Sequence, residues 1–300
     1  MRYIFLVNSF SLKENTNDII SKILEVSERR KLNYKIEVNS NFKSTEEIIA
    51  DYEKDKCVIM CIGGDGTINR TLNSIVGTKN ILGYIPYGTG NDFYRSNKEL
   101  LKQGVNNVDL IRINDKYFIN VACFGIDADI ANTDDIIHSS VIPEGQRYNA
   151  SIVKNFLSYK PRHLKVEVDG ETYENDYTTV ALCNARYYGG GYKIGTNALL
   201  DDGLIDIYLV DKMPKLKMAG LLLGMKKGKH ENSEYLKVLK SKKVYIESPT
   251  DIKCNIDGDV IEAKKFYVEL IPKGIKVYYD QELIDEITNY KGKKRWNTYS

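Results

Sequence analysis

Residues 57–69, C-V-I-M-C-I-G-G-D-G-T-I-N, constrain the fold of this chain more than any other stretch. An apolar run from Cys57 to Ile62 empties into Gly63, Gly64, Asp65, Gly66 and Thr67, and an amphipathic pattern begins at Ile68. A short apolar run closed by turn residues reads as a buried parallel strand, and the pattern after it as a helix. At such a corner glycine lets backbone N–H groups approach a ligand, and the helix N-terminus adds partial positive charge. That is a seat for phosphate. Asp65 repels a bare phosphate but suits one that arrives with Mg²⁺, so a metal-bound nucleotide triphosphate is the natural guest. A tight βα turn with a capping aspartate would use the same letters. The loop is not a Walker loop, because no Gly-Lys-Ser/Thr follows, and it lacks the G-x-G-x-x-G spacing of dinucleotide folds.

Around this corner strands and helices alternate. Residues 3–7 and 34–38 predict strands, and Ile19, Ile20, Ile23, Leu24 and Val26 fall at helical spacing. Ser44-Thr45-Glu46-Glu47 reads as a capping box opening a further helix. A strand over 81–85 ends in a second turn-rich loop, Pro86-Tyr87-Gly88-Thr89-Gly90-Asn91-Asp92. The expected fold class is α/β, an open and mostly parallel sheet with ligands at the C-terminal ends of its strands. Two loops, each with a Gly-Thr pair and an aspartate (Asp65 and Asp92), then reach one edge.

After about Asp109 the pattern changes. Runs over 108–113 and 117–124 flank Asn114-Asp115 as a hairpin, and a helix is expected over 149–159. Short strands follow at 164–168, 177–183, 203–210, 243–247, 252–256, 265–271 and 275–279, with Asp169-Gly170 and Asp257-Gly258 as turns and a glycine run at 189–191. This grammar predicts an antiparallel β-sandwich. The expected organisation is a nucleotide-binding domain over 1–110 and a β-rich substrate domain over 111–280. The active site lies in the cleft between them, and the tail 281–300 is available to return to the first domain.

Composition narrows the class. Net charge is +2, which gives no field for nucleic acid. The five cysteines lie mostly within apolar runs without a C-x-x-C pair, which suits a reduced, cytoplasmic protein. Three isolated histidines argue against a His-rich metal site or a Ser-His-Asp triad. The apolar run at the N-terminus is too short for a signal peptide, and the longest later one, 218–225, is far below the ~20 residues that span a bilayer.

Taken together, these motifs resemble the catalytic region of the diacylglycerol kinase family, the soluble bacterial lipid kinases in particular, with sphingosine and ceramide kinases as relatives. The resemblance runs through Gly63-Gly64-Asp65-Gly66-Thr67 with Asn69, Leu82-Gly83, Pro86, Gly88-Thr89, Asn91-Asp92-Phe93 and Arg95. In the second half it continues through Asn120-Val121-Ala122, Gly125, the 189–191 glycines, Asp201-Asp202-Gly203 and Ile256-Asp257-Gly258. It implies transfer of the γ-phosphate of ATP to the hydroxyl of a neutral lipid such as diacylglycerol. Asp257 corresponds to the catalytic base. Asp65, Asp92 and Asp109 correspond to the acidic network around Mg²⁺, in part through water. Asn8, Asn39, Gly63, Gly64, Gly66, Thr67, Asn69, Gly88, Thr89 and Asn91 correspond to the nucleotide contacts. Leu199, Asp202 and Leu204 correspond to a second, structural metal site. Asp257-Gly258 and Asp202-Gly203 are also ordinary hairpin pairs.

Four departures stand out: Ser9 in place of proline after Asn8, Arg70 in place of glutamate after Asn69, a shortened segment after Arg95, and Asn197-Ala198 before the metal loop. Residues 212–243 hold ten lysines against Glu231 and Glu234, around the apolar M-A-G-L-L-L-G-M. Such a segment suits docking on an anionic membrane, and it also suits a solvated face over a buried helix. The alternatives to a lipid kinase are an NAD kinase-like enzyme, which shares the Gly-Gly-Asp-Gly loop, and a nucleotide- or lipid-binding regulator with weakened catalysis, which Arg70 motivates. A homodimer is left open.

Overall fold

The computed structural model describes residues 1–87, 91–125 and 160–288. Strand β3 (Cys57–Gly63) has no polar side chain and is buried at every position, which a strand tolerates only inside a sheet covered on both faces. It lies between β1 (Arg2–Asn8) and β4 (Ile81–Pro86), with β2 (Asn33–Asn39) beyond β1, all parallel. The short α1 (Ser9–Leu12) leaves β1, and α2 (Thr16–Arg29) buries Ile19, Ile23 and Val26 as one helical stripe. Helix α3 (Thr45–Ala50) starts on the capping box read from the sequence: Ser44 accepts from the Glu47 N–H and Glu47 accepts from that of Ser44. Helices α4 (Asp65–Ile75) and α5 (Asp92–Leu100) follow β3 and β4.

The second half is antiparallel. It comprises β5 (Gly104–Ile113), β6 (Lys116–Phe118), β7 (Val121–Gly125), β8 (Arg162–Val168) and β9 (Glu171–Cys183), then the β10 (Tyr187–Tyr188) and β11 (Tyr192–Lys193) ribbon. After these come β12 (Ile205–Asp211), α6 (Lys215–Lys226), β13 (Leu236–Ser241), β14 (Lys243–Ile256), β15 (Asp259–Tyr279) and α7 (Gln281–Thr288). Strands β14 and β15 run through stretches that the sequence reads as pairs of short strands. The register shifts between Glu247 and Ile252 and between Ile271 and Ile275 absorb Pro249 and the Pro272-Lys273-Gly274 run, because a bulge bends a strand without ending it. The run 117–124, read as one strand, is instead broken at Ile119-Asn120. The lysine-rich segment 212–243 contains both a helix and an edge strand.

Strand β15 joins the halves. It pairs antiparallel with β14 and β5, and its Val277 and Tyr278 lie parallel to Leu82 and Gly83 of β4. One sheet of 13 strands results, where two separate sheets were expected. Helix α7 then packs on the first half: Leu283, Ile284 and Ile287 enter its core, and Arg30 at the end of α2 reaches Asp280, Glu282 and Glu286. Two further apolar clusters fill the β-rich half. The helix expected over 149–159, the loop residues Gly88 and Thr89 and the tail beyond 288 lie outside the described residues. No helix among the described residues is long and apolar enough to cross a membrane.

Candidate active site

The glycine corner is the junction of β3 and α4. A Cβ on Gly63 would lie 2.4 Å from Oγ1 of Thr67, so only glycine fits there, whereas one on Gly64 or Gly66 would meet nothing within 4 Å. Gly64 is the helix N-cap and has no side chain to offer. The amides of Thr67 and Ile68 close on the Gly64 carbonyl, and those of Asp65 and Gly66 have no acceptor among the described residues. Unsatisfied amides at the start of an eleven-residue helix form an anion cradle.

The strand ends beside it are tied together. The Asn8 side-chain amide donates to Thr67 Oγ1 at 2.8 Å, that of Asn39 donates to Asn8 Oδ1 at 3.2 Å, and Asn39 Oδ1 accepts from the Ser9 N–H at 2.8 Å. The sequence-predicted Asn8, Asn39 and Thr67 therefore form one hydrogen-bonded chain at the sheet edge. Asn69 does not join it. Its amide donates to the Tyr117 carbonyl at 3.2 Å and holds β6 against α4.

Three of the four predicted carboxylates converge. Asp65 accepts from the amides of Asp92 (3.0 Å) and Phe93 (3.2 Å), and so caps α5 from another part of the chain. The helix's own N-cap, Asn91, is held in the left-handed region with its side chain accepting from Tyr84. Asp92 accepts from Arg95 at 2.7 Å and, across the cleft, from the Gly190 N–H at 2.7 Å. Asp257 sits at the β14–β15 turn with φ +51. Its two oxygens accept from three consecutive amides: Ile119 at 2.8 Å, Asn120 at 3.1 Å and Val121 at 2.8 Å. The break between β6 and β7 thus exists because those N–H groups turn inward to the carboxylate. The next residue, Gly258, lies over α4, where a Cβ would come 3.3 Å from the Gly66 nitrogen.

Burial raises all three acids. Asp65 is raised by desolvation against its backbone donors. Asp92 is pushed up to about 7 by burial and then by the charge of Asp65. Asp257 is pushed up to about 7 by burial, with its three amide donors pulling the other way and Asp65 adding repulsion. Asp109 lies apart from them in role. It is buried and accepts from the amides of Gly203 and Lys273, both at 2.7 Å, pinning two loops.

The donor set fits a hydrated divalent cation. Asp65 and Asp92 are adjacent, desolvated and mutually repelling; each Asp92 oxygen has one protein donor and keeps a second lone pair for a metal-bound water, and Asp65, with the Asn91 amide as a third backbone donor, keeps one oxygen able to accept again. In the second predicted metal loop the carboxylate already has partners from the chain. Asp202 Oδ1 accepts from the Leu204 N–H at 3.1 Å, and its Oδ2 lies 3.4 Å from the Lys240 ammonium. Leu199 is 39% exposed on the same loop. Lys240 also reaches buried Asp206 at 3.2 Å, the only cationic partner of that carboxylate among the described residues. Lys240→Met should therefore lower stability by about 1–3 kcal/mol, below the usual loss for a fully buried pair because the lysine is 39% exposed, as a urea melt would read. An unchanged melt would remove this role.

Sequence reasoning did not find the Ile119–Val121 amides, the Gly190 contact, Lys240, or Glu99, which gathers Arg186, Lys193 and Tyr187 against α5. Arg70 is exposed on α4, one turn beyond Gly66, and its charge reaches Asp259 beside the Asp257-Gly258 turn.

Comparison with known proteins decides the family. The diacylglycerol kinase catalytic domain matches residues 2–116, and the YegS C-terminal NAD kinase beta sandwich-like domain matches residues 120–279. The chain belongs to the diacylglycerol kinase family. Among relatives of this lipid kinase, a protein of Shewanella frigidimarina named "Probable lipid kinase YegS-like" is 30% identical over 71% of this chain and 74% of its own. A diacylglycerol kinase of Mycobacterium tuberculosis is 29% identical over 77% of this chain and 79% of its own. A crystal structure of a diacylglycerol kinase from Bacillus anthracis superposes with a TM-score of 0.71 at 20% identity, covering 94% of this chain and 98% of that one. That likeness speaks for the fold.

Proposed function

We propose that this kinase transfers the γ-phosphoryl group of ATP, with Mg²⁺, to the hydroxyl of a neutral lipid, diacylglycerol in the first place, giving phosphatidic acid and ADP. The observation that carries the reading is the seat of Gly258 on Gly66, which puts a carboxylate of the second half beside the anion cradle of the first. The free amides of Asp65 and Gly66 hold phosphate oxygens. Asp65 and Asp92 hold the hydrated cation, which when bound neutralises charge on the nucleotide's phosphates. Asp257 accepts the proton of the lipid hydroxyl as its oxygen bonds to phosphorus. A carboxylate is a weak base for an alcohol, so most of the acceleration comes from holding donor and acceptor in line.

The nucleotide unit is taken as 1–110 with the returning α7, and the acceptor unit as 111–280, a division supported by the separate apolar clusters although β15 serves both. A neutral lipid is presented by a bilayer, so the enzyme is proposed to be cytoplasmic and to visit an anionic membrane surface. Radiolabelled ATP with diacylglycerol in mixed micelles, products read by mass spectrometry and NAD included among the acceptors, tests the reading. Transfer to no neutral lipid would end it. Arg70 favours one second reading, a regulator that binds ATP without turnover. Calorimetry showing tight ATP binding by a protein inert on the whole acceptor panel would establish that instead.

A further inference from the structure

Helix α6 is apolar on both sides. Met218, Leu221, Leu222 and Met225 face inward and share a cluster with residues of β7, β9 and β12. On the outer side Leu216 is 86% and Leu223 is 64% exposed. They stand two turns apart on one stripe, with exposed Gly220 between them. A surface helix of a water-soluble domain ordinarily turns polar residues outward. Here Leu216, Gly220 and Leu223 make an apolar outward stripe, with Lys217 beside it bridged to Glu234, and further lysines stand around it: Lys215, Lys226, Lys227 and Lys229 are exposed and have no acidic partner among the described residues. Of the other lysines of this segment, Lys212, Lys217, Lys240 and Lys243 pair with acids and Lys237 lies over a tyrosine ring. Lys237 lies 4.6 Å from the Tyr173 ring centroid, and Lys240 bridges Asp202 and Asp206.

The helix is also coupled to the active site. It packs on β11, which pairs with β10, and the turn between those strands gives the Gly190 N–H to Asp92. A surface resting on α6 is therefore separated from the cleft wall by a single hairpin.

We propose that the outer face of α6 is the membrane-docking surface of the kinase, with Leu216 and Leu223 entering the interfacial layer of an anionic bilayer and the flanking lysines meeting its headgroups. The ring of unpaired cations around an apolar pair selects an anionic lipid surface over a protein groove. The inference deepens the lipid-kinase reading and rests on it for the meaning of the encounter.

The test is co-sedimentation of the full chain with phosphatidylcholine vesicles, with and without phosphatidylglycerol. Binding is expected only with the anionic lipid and should weaken as salt is raised. Leu216→Ser with Leu223→Ser, and separately Lys226→Glu with Lys227→Glu and Lys229→Glu, should each reduce the bound fraction about tenfold or more. The leucine variant should melt with the wild type, because both side chains are mostly solvent-exposed. Phe42→Ser, at a 97% exposed aromatic on the other half, should bind vesicles as the wild type does. Binding indifferent to anionic lipid or to the α6 variants, or lost in Phe42→Ser instead, overturns the proposal. So does light scattering that finds a wild-type dimer made monomeric by the leucine changes, since the face would then be a contact between copies.

A short-chain, water-soluble diacylglycerol separates this surface from the chemistry. The α6 variants should phosphorylate it as the wild type does. If no form phosphorylates any acceptor while Leu216 and Leu223 still govern vesicle binding, the kinase reading falls and the surface stands. Turnover of the soluble acceptor with vesicle binding indifferent to α6 does the reverse.

Discussion

Asp257→Asn is expected to lower kcat by about 10²–10⁴-fold, the range for a positioned general base, while leaving the affinity for ATP within a few-fold of the wild type. The proposed nucleotide seat is built from α4 and the strand ends of the first half, and Asp257 belongs to the second. The substitution also has a structural cost. It replaces one acceptor oxygen by an N–H₂ group facing the inward amide of either Ile119 or Val121, and that of Asn120, which costs about 1–3 kcal/mol. A thermal melt therefore belongs with the kinetics: a variant still folded at the assay temperature, still binding ATP and nearly inactive is the expected result. A folded Asp257→Asn with wild-type kcat would remove Asp257 from the chemistry.

The same carboxyl sets a pH dependence. Its acid form persists up to about pH 7, so the ionised form proposed to accept the proton is the minor species below that value. The wild-type kcat/KM should fall by about tenfold or more per unit on the acid side, since Asp92 titrates in the same range, and level off on the alkaline side. The sign for stability is opposite. A carboxyl whose folded pKa is raised above its unfolded value favours folding fully below the unfolded value near 4 and loses that contribution as pH rises through about 7. The ligand-free protein therefore becomes less stable at the pH where it becomes active, and Asp92 adds in the same direction.

What was legible in the sequence was local. The β3 run had to be buried and its glycines had to turn, and the Asp169-Gly170 and Asp257-Gly258 pairs adopt the positive φ values that hairpin turns require. The capping box at Ser44 states its own hydrogen bonds. Long-range bonding was not legible. Ile119-Asn120 is apolar enough to continue a strand, and it breaks only because Asp257, 138 residues from Ile119, needs its amides. Pro272-Lys273-Gly274 reads as a terminator, yet β15 continues through it as a bulge whose Lys273 N–H is taken by Asp109. Lys240 reads as one lysine among ten, and nothing nearby in sequence announces that it neutralises a buried aspartate on the neighbouring strand. Charge and hydrogen-bond demands set by distant residues decided each of these points.

Gly63→Ala and Gly64→Ala should fail in different ways, and the contrast tests the phosphate seat itself. At Gly63 the new methyl would lie 2.4 Å from Thr67 Oγ1 and 2.8 Å from its Cβ, so Thr67 must move and the Asn39–Asn8–Thr67 chain must open. Overpacking of this kind costs about 1–3 kcal/mol before the lost hydrogen bond is added, and a lower urea midpoint should accompany weak ATP binding. At Gly64 the backbone has φ −96, which any residue adopts, and the methyl meets no protein atom within 4 Å. Stability should stay within about 1 kcal/mol of the wild type, since the entropy lost by the unfolded chain offsets a poorer N-cap. The methyl would nevertheless stand in the space that phosphate oxygens need in order to reach the Asp65 and Gly66 amides. Calorimetry should show ATP affinity down about tenfold or more in a protein that melts normally, because charge-assisted bonds to those amides are lengthened or lost. A Gly64→Ala protein that binds ATP as tightly as the wild type would mean that the nucleotide sits elsewhere on the sheet edge, and the placement of Asp257 beside it would lose its meaning.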